Sequence, residues 1–307
     1  MSKVQYINRK TKKICEEKIP GEKYLRYLYY STTGKFLLKA LIIKKMISDI
    51  YGILMKMSFT KSKVKQFVDE FNIDMDLFEK PDNGFDSFNE FFIRKINPVK
   101  YHIDNNEDIL ISPADGKILA FDKVQERTFN IKGIDLDLEK LLQDKQISKR
   151  YRQGSMVIIR LAPADYHRFH FPCDCIPSAT NLIKGKYYSV SPIALREITD
   201  VFLQNKRTVC YLDKTPFGKI AYLEIGATMV GSIKQTYYNS KKKYIPMLVF
   251  KGQEKGYFEF GGSSIVLLFE EDKIILDKDL LENTNRGFET SIRFGESIGR
   301  VKDENNS

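Results

Sequence analysis

Apolar residues between positions 36 and 57 recur at intervals of three and four, which is the period of an α-helix. The apolar stripe comprises Phe36, Ala40, Ile43, Ile47, Ile50, Leu54 and Met57, and the opposite side carries Lys45, Ser48, Asp49, Gly52 and Lys56. Charges interrupt the segment too often for it to cross a bilayer as a simple helix. The pattern predicts an amphipathic helix that either packs on its own domain or lies in a membrane interface. The local excess of lysine favours the interface.

The rest of the chain divides into short helices followed by short strands. Residues 64–71 predict one helix, and Ser87 with Glu90 forms a capping box for another. Beyond Pro98, short apolar runs bounded by glycine, proline and aspartate are typical of strands. The predicted strands cover residues 108–111, 156–161, 219–225, 246–250, 256–260, 265–269 and 273–276. These patterns predict an α+β fold in which N-terminal amphipathic helices precede a strand-rich, barrel-like domain with helical insertions.

Two of the predicted strands are separated only by Gly261-Gly262-Ser263-Ser264. Taken alone, this tetrapeptide predicts a β-hairpin turn. The glycines also permit backbone conformations in which the hydroxyl of Ser263 approaches the carbonyl before it. The G-x-S-x-G elbow of serine hydrolases is not matched, because Ile265 holds its last position. A chemical role for Ser263 therefore depends on a base and a carboxylate elsewhere in the chain.

Charge separates the N-terminal segment from the remainder. Residues 1–66 hold 16 Lys/Arg and 4 Asp/Glu, whereas the rest of the chain holds 34 and 36. Because apolar residues lie between these charges, an anionic membrane is a better partner than nucleic acid. We therefore predict a basic, amphipathic, membrane-associating segment at 1–66 and a second domain at 67–307. Four cysteines and an N-terminus without a secretory signal indicate a reducing compartment.

Two of the three histidines, His167 and His170, follow a predicted strand. They would share a face if this segment were helical, and histidine is suited to proton transfer near neutral pH. Asp115 occupies a Pro-Ala-Asp-Gly sequence, which is also ordinary turn chemistry. Together with Ser263, these residues are the components of a nucleophile activated by a base.

A zinc site made from His167, His170, Cys173 and Cys175 is the competing hypothesis. The C-x-C spacing is tighter than that of most zinc sites, and no second cysteine pair follows. We therefore expect no metal site.

Five sequence stretches carry a resemblance to one family. They are FNEFFIR at 88–94, SPADGK at 112–117, LAPADYHRFHFP at 161–172, GATMVGSI at 226–233 and FGGSSI at 260–265. The chain resembles precursors of the pyruvoyl-dependent, prokaryotic-type phosphatidylserine decarboxylases. The family's Leu-Gly-Ser-Thr cleavage motif reads Gly261-Gly262-Ser263-Ser264 here, which keeps the Gly–Ser bond.

The resemblance implies an enzyme that makes its own cofactor in a catalytic domain at 67–307. His170, oriented by Asp115, would take the proton of Ser263, whose oxygen attacks the Gly262 carbonyl. Elimination would release a β chain of residues 1–262 and leave Ser263 as a pyruvoyl group on an α chain of residues 263–307. The pyruvoyl group would form a Schiff base with phosphatidylserine, and His167 would position the substrate and protonate the product, phosphatidylethanolamine.

The same resemblance gives the basic N-terminus a reason, since it would dock the enzyme on the cytoplasmic face of the cell membrane as a peripheral protein. Two alternatives remain open at this point. One is a pyruvoyl enzyme acting on a soluble amino acid, and the other is a catalytically silent membrane-binding module.

Overall fold

The structure, a computed structural model, describes residues 3–42, 45–124, 137–228, 232–237, 244 and 246–302. Ile43 of the predicted stripe and positions 229–231 of the 226–233 motif lie outside these residues. The α-helices are α1 (Glu22–Tyr30), α2 (Thr32–Leu37), α3 (Lys45–Met55), α4 (Ser62–Phe71), α5 (Phe88–Phe92), α6 (Leu138–Leu142), α7 (Lys145–Ser148), α8 (Pro192–Leu195), α9 (Val201–Gln204) and α10 (Lys278–Asn285).

The strands are short, and most are separated by loops. They are β1 (Gln5–Ile7), β2 (Ile14–Glu16), β3 (Ile109–Ile111), β4 (Gly116–Phe121), β5 (Met156–Leu161), β6 (Arg168–His170), β7 (Ile176–Pro177), β8 (Asn181–Ile183), β9 (Arg207–Thr215), β10 (Gly218–Gly226), β11 (Ile233–Gln235), β12 (Glu254–Phe258), β13 (Ser263–Leu268), β14 (Ile274–Leu276), β15 (Glu289–Ile292) and β16 (Ser297–Val301).

Ten strands form one large sheet in the order β2-β1-β15-β4-β5-β13-β10-β9-β7, with β8 also paired to β9. Every residue of β5 and β13 is buried, because both faces of these central strands are covered by other elements. Two three-stranded sheets, β11-β12-β6 and β14-β16-β3, complete the strand content. Mixed helix and strand content confirms the α+β prediction. Within the described residues none of these sheets closes on itself, so the barrel-like form is not confirmed.

The N-terminal residues join the large sheet before the helices begin. Strand β1 pairs in parallel with β15, near the other end of the chain, and β2 pairs with β1. Arg9, just after β1, donates hydrogen bonds to the carboxylates of Asp277 and Asp279. Residues near the two ends of the sequence are therefore joined by strand pairing and ion pairs at one edge of the large sheet.

Helix α3 turns its predicted polar side toward the protein. Ser48 and Met55 are buried, whereas Ile50, Leu54 and Met57 of the predicted apolar stripe are 49, 40 and 48% exposed. The inward side packs on the aromatic cluster of α5, and Tyr51 lies 5.5 Å, centroid to centroid, from Phe260. The apolar stripe consequently faces outward. No helix among the described residues has the length and apolarity needed to span a bilayer.

Several local predictions are confirmed. The helix at 64–71 falls within α4, and the Ser87 hydroxyl accepts a hydrogen bond from the Glu90 amide to cap α5. Strand β5 has the predicted ends. The prediction at 246–250 is wrong, because among those described residues only Val249 forms a β-bridge, with Cys175.

The predicted hairpin across residues 261–264 is also wrong. Strand β12 pairs with β11 and β6, whereas β13 pairs with β5 and β10, so the connection crosses from one sheet to another. Ser263 and Ser264 are the first residues of β13 and not part of a turn. The Gly262–Ser263 peptide bond therefore lies where the chain enters the central sheet.

Candidate active site

Ser263 is held by a strand on each side. Its position in β13 is opposite Leu161 of β5 and Gly226 of β10. The residue is fully buried, and its Oγ has no hydrogen-bond partner among the described residues. A buried hydroxyl without a partner costs free energy, and Ser264 next to it is in the same condition, so what distinguishes Ser263 is its position directly after Gly262.

The two glycines before Ser263 have different roles. Gly261 has a φ of 133°, in a region that favours glycine, and this sets the path of the chain between the sheets. This backbone explains why glycine can stand where the resembled family has leucine. At Gly262, an added Cβ would first meet Val190 at 3.5 Å, which is ordinary van der Waals contact, so close packing does not require glycine there.

His167 lies beside this connection. The backbone of Gly261 is close enough to favour the charged imidazole, but burial dominates and lowers the pKa of His167 to about 3. The ring of Phe92 lies over the imidazole at 3.8 Å between centroids. Its Nδ1 is 2.9 Å from the Asp165 carbonyl oxygen, and its buried Nε2 has no hydrogen-bond partner in the part of the chain described. A neutral imidazole with a free nitrogen can accept a proton.

His170 has a different environment. Its Nδ1 is 2.9 Å from the Gly252 carbonyl oxygen, and its Nε2 is 3.0 Å from the Tyr166 hydroxyl. The ring stacks on Phe294 at 3.9 Å. Burial lowers the pKa of His170 to about 4. Both ring nitrogens are therefore already engaged.

The carboxylate of Asp115 faces the same aromatic layer. It accepts hydrogen bonds from the Phe294 amide at 2.7 Å and from the Tyr101 hydroxyl at 3.1 Å. Burial raises the pKa of Asp115 to about 6, against the effect of these donors. The carboxyl is thus poised to exchange a proton near neutral pH.

These contacts bear on two expectations. His170 and Asp115 do not form the expected hydrogen bond with each other in the described structure, because each already has other partners. The two histidines do not share a helical face, since residues 168–170 form strand β6. His167 precedes the strand and His170 is its last residue, and it is the imidazole of His167 that lies near the Gly261 backbone.

An apolar cavity of about 390 Å³ reaches the connection. Gly261 and Gly262 line it together with N-terminal side chains that include Leu25, Leu28 and Tyr51. A polar cavity of about 480 Å³ lies nearby and is lined by residues that include Asp115 and Asp165. Both cavities touch Ala162, so the loop before His167 separates an apolar space from a polar one.

Sequence reasoning missed the residues that hold His167. Asp165 supplies its hydrogen-bond acceptor, Phe92 stacks on it, and Arg94 donates to the backbone of the same loop. Each belongs to one of the five quoted stretches, which is the only signal that the sequence offers for them. The proposed zinc ligands are not gathered into one group, since no cluster of three or more His, Cys, Asp or Glu with metal-binding geometry exists among the described residues.

Comparisons with known proteins identify the family of the chain. A family model described as phosphatidylserine decarboxylase matches residues 88–300. A phosphatidylserine decarboxylase proenzyme of Fusobacterium nucleatum subsp. nucleatum is 46% identical over 301 residues, covering 98% of both chains. Proteins of the same name from Clostridium kluyveri and Clostridium perfringens are 45% and 44% identical over 297 residues, covering 96% of this chain and 98% and 99% of their own. The chain therefore belongs to the phosphatidylserine decarboxylase family.

Proposed function

We propose that this protein decarboxylates phosphatidylserine to phosphatidylethanolamine and carbon dioxide with a pyruvoyl group made from its own Ser263. The observation that carries the proposal is the fully buried, unpartnered Ser263 hydroxyl directly after Gly262, with the free Nε2 of His167 beside Gly261. The comparisons do not favour a soluble amino acid as substrate or a catalytically silent module.

His167 is the proton acceptor that this geometry favours for maturation. Burial lowers the pKa of His167 to about 3, so the imidazole is neutral and would hold the Ser263 proton only transiently, passing it to the leaving nitrogen of Ser263 as Oγ bonds to the Gly262 carbonyl carbon. The amide C–N bond then breaks and an ester links the two residues. Loss of the Cα proton of residue 263 together with departure of the Gly262 carboxylate from Cβ gives dehydroalanine, and its hydrolysis with loss of ammonia leaves the pyruvoyl group.

His170 and Asp115 form the layer beneath this site. His170 is fixed by Tyr166 and Gly252, and Asp115 is fixed by Tyr101 and Phe294. We propose that this layer supports the loop that carries His167. Asp115, whose pKa is raised to about 6, would supply protons for the product.

The pyruvoyl carbonyl supplies an electron sink for the loss of carbon dioxide. The chain supplies the rest of the site. Tyr51, Leu25 and Leu28 line an apolar cavity that suits the glycerol and acyl portion of a lipid, and Gly262, where the headgroup would react, lines the same cavity. Once maturation is complete, His167 would hold or return a proton where the headgroup reacts.

The outward stripe of α3 supports a membrane-bound location. Its exposed apolar residues stand beside a segment rich in lysine, which is the composition of a helix that lies in an anionic interface. We propose that residues 1–66 dock the enzyme as a peripheral protein on the cytoplasmic face of the cell membrane. Residues of α1 and α3 line the apolar cavity, so docking through this segment would bring the cavity close to the lipid.

Intact mass measurement of the purified protein tests the central proposal. We expect two chains, residues 1–262 and 263–307, with the shorter chain blocked to Edman sequencing. Ser263→Ala should remain one chain. Ser264→Ala is the matched control, because this neighbouring hydroxyl is equally buried and also lacks a partner in the described structure. Normal splitting of Ser263→Ala, or an α chain that begins with a free serine amine in active enzyme, would contradict the proposal.

A further inference from the structure

Arg160, on β5, is a buried cation that binds two carboxylates at once. Its guanidinium donates two hydrogen bonds to Glu17, at 2.7 and 3.0 Å, and two to Glu289, at 2.5 and 2.9 Å. The side chains of Arg160, Glu17 and Glu289 are only 4, 5 and 15% exposed. One guanidinium balances one carboxylate, so these three residues, here called the Arg160 cluster, carry one negative charge in excess.

The neighbouring ion pair does not remove this excess. Lys117 is close enough to Glu17 to interact with it electrostatically, but its ammonium group lies 2.9 and 3.0 Å from the two carboxylate oxygens of Asp165. Counting that pair adds one charge of each sign and leaves the sum unchanged. A buried charge without compensation costs free energy, so the Arg160 cluster would be stabilised by a further cation.

Only one of the two carboxylates of the cluster faces a cavity. Glu17 lines the apolar cavity of about 390 Å³, whereas Glu289 lines neither that cavity nor the polar one. Among the described residues, only Glu17 and Arg160 bring a charged side chain to the apolar cavity. A ligand in this cavity therefore meets the excess negative charge at Glu17.

The Arg160 cluster is attached to the strand pair that begins at the proposed cleavage site. Arg160 is opposite Ser264, the residue after Ser263, in the pairing of β5 with β13. Opposed residues in an antiparallel pair have Cα atoms about 4.5–5.5 Å apart. Gly262, on the other side of the bond that would be cut, lines the same cavity as Glu17. A ligand group bound at Glu17 would consequently lie near residue 263.

We propose that Glu17 is a substrate-binding residue that holds the ammonium group of phosphatidylserine. This inference rests on the proposed function. The headgroup contains an ammonium, a carboxylate and a phosphate, and only the ammonium group is attracted by an excess of negative charge. The same nitrogen must reach the pyruvoyl carbonyl to form the Schiff base. Glu17 would present it there while the acyl portion of the lipid occupies the apolar cavity.

The test measures lipid binding to the Ser263→Ala precursor by isothermal titration calorimetry. The ligands are dihexanoyl phosphatidylserine and the analogue with hydroxypropionate in place of serine, which keeps the phosphate and the carboxylate but lacks the amine. Both are used below the concentrations at which they form micelles. We expect the precursor to prefer phosphatidylserine roughly 10- to 100-fold, the range of a charge-assisted hydrogen bond. Equal affinities would overturn the inference without any further variant.

Substitutions in the same precursor locate the contact. Glu17→Gln keeps the shape of the side chain and removes its charge, so the preference for the amine should vanish. Glu16→Gln is the matched control, because the neighbouring side chain pairs with Lys3 in solvent and does not line the apolar cavity. A preference that persists in Glu17→Gln, or that is lost equally in Glu16→Gln, would reject the inference.

Glu17→Asp provides a result even if Glu17→Gln does not fold. It keeps the charge but moves the carboxylate back by one methylene group, so we expect the preference for the amine to fall severalfold. Thermal unfolding of each variant shows whether it is folded. An unchanged preference in folded Glu17→Asp would also count against a direct contact with the ammonium group.

The enzyme with Ser263 restored gives a second readout. We expect Glu17→Gln to split into two chains and to lose roughly 10- to 100-fold in kcat/KM, chiefly through a higher KM. An unchanged KM would contradict substrate binding by Glu17. If the unsubstituted protein does not split, the proposed function fails, but the binding measurement on the precursor still decides whether Glu17 holds an ammonium group. Splitting without a preference for the amine would reject this inference alone.

Discussion

His167 and His170 are chemically alike and three residues apart, yet their surroundings give them different capacities. The first has one free nitrogen beside Gly261, and the second has both nitrogens engaged. The sequence identifies Ser263, Asp115 and both histidines as candidates because their residue types are suited to proton transfer. It does not reveal which histidine meets Ser263, because that depends on a three-residue strand whose partner, β12, lies more than 80 positions away.

Substitution of each histidine distinguishes these capacities. We expect His167→Ala to slow self-cleavage roughly 10²–10⁴-fold, the usual cost of removing a general base. His170→Ala should slow it less, since the loss affects packing against Phe294 and the Tyr166 hydrogen bond. Cleavage would be followed by gel electrophoresis of freshly synthesised chains. A greater loss in His170→Ala would instead support the role that the family resemblance first implied for it.

The buried ionisable groups also predict how stability depends on pH. The pKa values of His167 and His170 fall from 6.5 to about 3 and about 4, so on acidification below pH 6.5 the unfolded chain binds protons that the folded chain refuses. Each histidine then costs up to about 1.4 kcal/mol of unfolding free energy per pH unit. Asp115 acts oppositely, since its pKa rises from 3.8 to about 6, and it offsets one histidine.

We therefore expect the Ser263→Ala precursor to lose about 1.4 kcal/mol of unfolding free energy between pH 6 and pH 5. Urea unfolding at the two pH values measures this change. His170→Gln removes one of the two histidines, so the loss should nearly vanish. If the precursor that keeps both histidines instead became more stable between pH 6 and pH 5, the result would contradict the burial of these rings.

At the scale of elements, α3 shows what hydrophobic periodicity predicts about a helix and what it leaves undetermined. The period of three and four correctly marks two sides of a helix, but it does not say which side faces the protein. Ser48 and the glycine at position 52 are buried, and Tyr51 and Met55 pack with the α5 cluster, whereas Ile50 and Leu54 are left outside. Strands such as β5 are predictable because they are continuous apolar runs, whereas β9, which includes Arg207 and Thr208, is not.

The outward stripe can be tested without removing the N-terminal strands, which belong to the large sheet. We expect Ile50→Ser and Ile53→Ser each to weaken binding to phosphatidylserine-containing vesicles by about fivefold, since each removes about 1 kcal/mol of apolar burial. Binding of the unsubstituted chain should also fall with salt. Co-sedimentation measures both effects.

Leu182→Ser is the control for this experiment, because Leu182 is 56% exposed on β8 and lies outside the N-terminal segment. It should sediment like the unsubstituted protein. Equal losses in all three variants, or none in Ile50→Ser and Ile53→Ser, would remove the support for docking through α3.

At the scale of the whole molecule, the proposed cut separates segments that the fold binds together. Strands β13 to β16 and α10 would belong to the short α chain, and β13 would remain between β5 and β10 of the long chain. Arg9 connects the first residues of the long chain to Asp277 and Asp279 of the short one. The two chains should therefore stay associated after cleavage.

Arg9→Ala measures one part of this association. Each hydrogen bond between charged groups at partly buried positions contributes about 1.5–3 kcal/mol, so we expect the melting temperature of the cleaved protein to fall by several degrees. Lys3→Ala breaks only an exposed pair with Glu16 and should have little effect. An equal change in both variants would show that Arg9 does not join the chains.

The position of Ser263 at the first residue of a central strand has a consequence for the lifetime of the protein. While the chain is continuous, every contact of β13 can form by folding within one molecule. Once the chain is cut, a molecule that unfolds releases a fragment of 45 residues, and its return would require two chains to meet at dilute concentration. After cleavage, the folded state therefore persists because unfolding is slow and not because refolding restores it. An active molecule that unfolds once is lost.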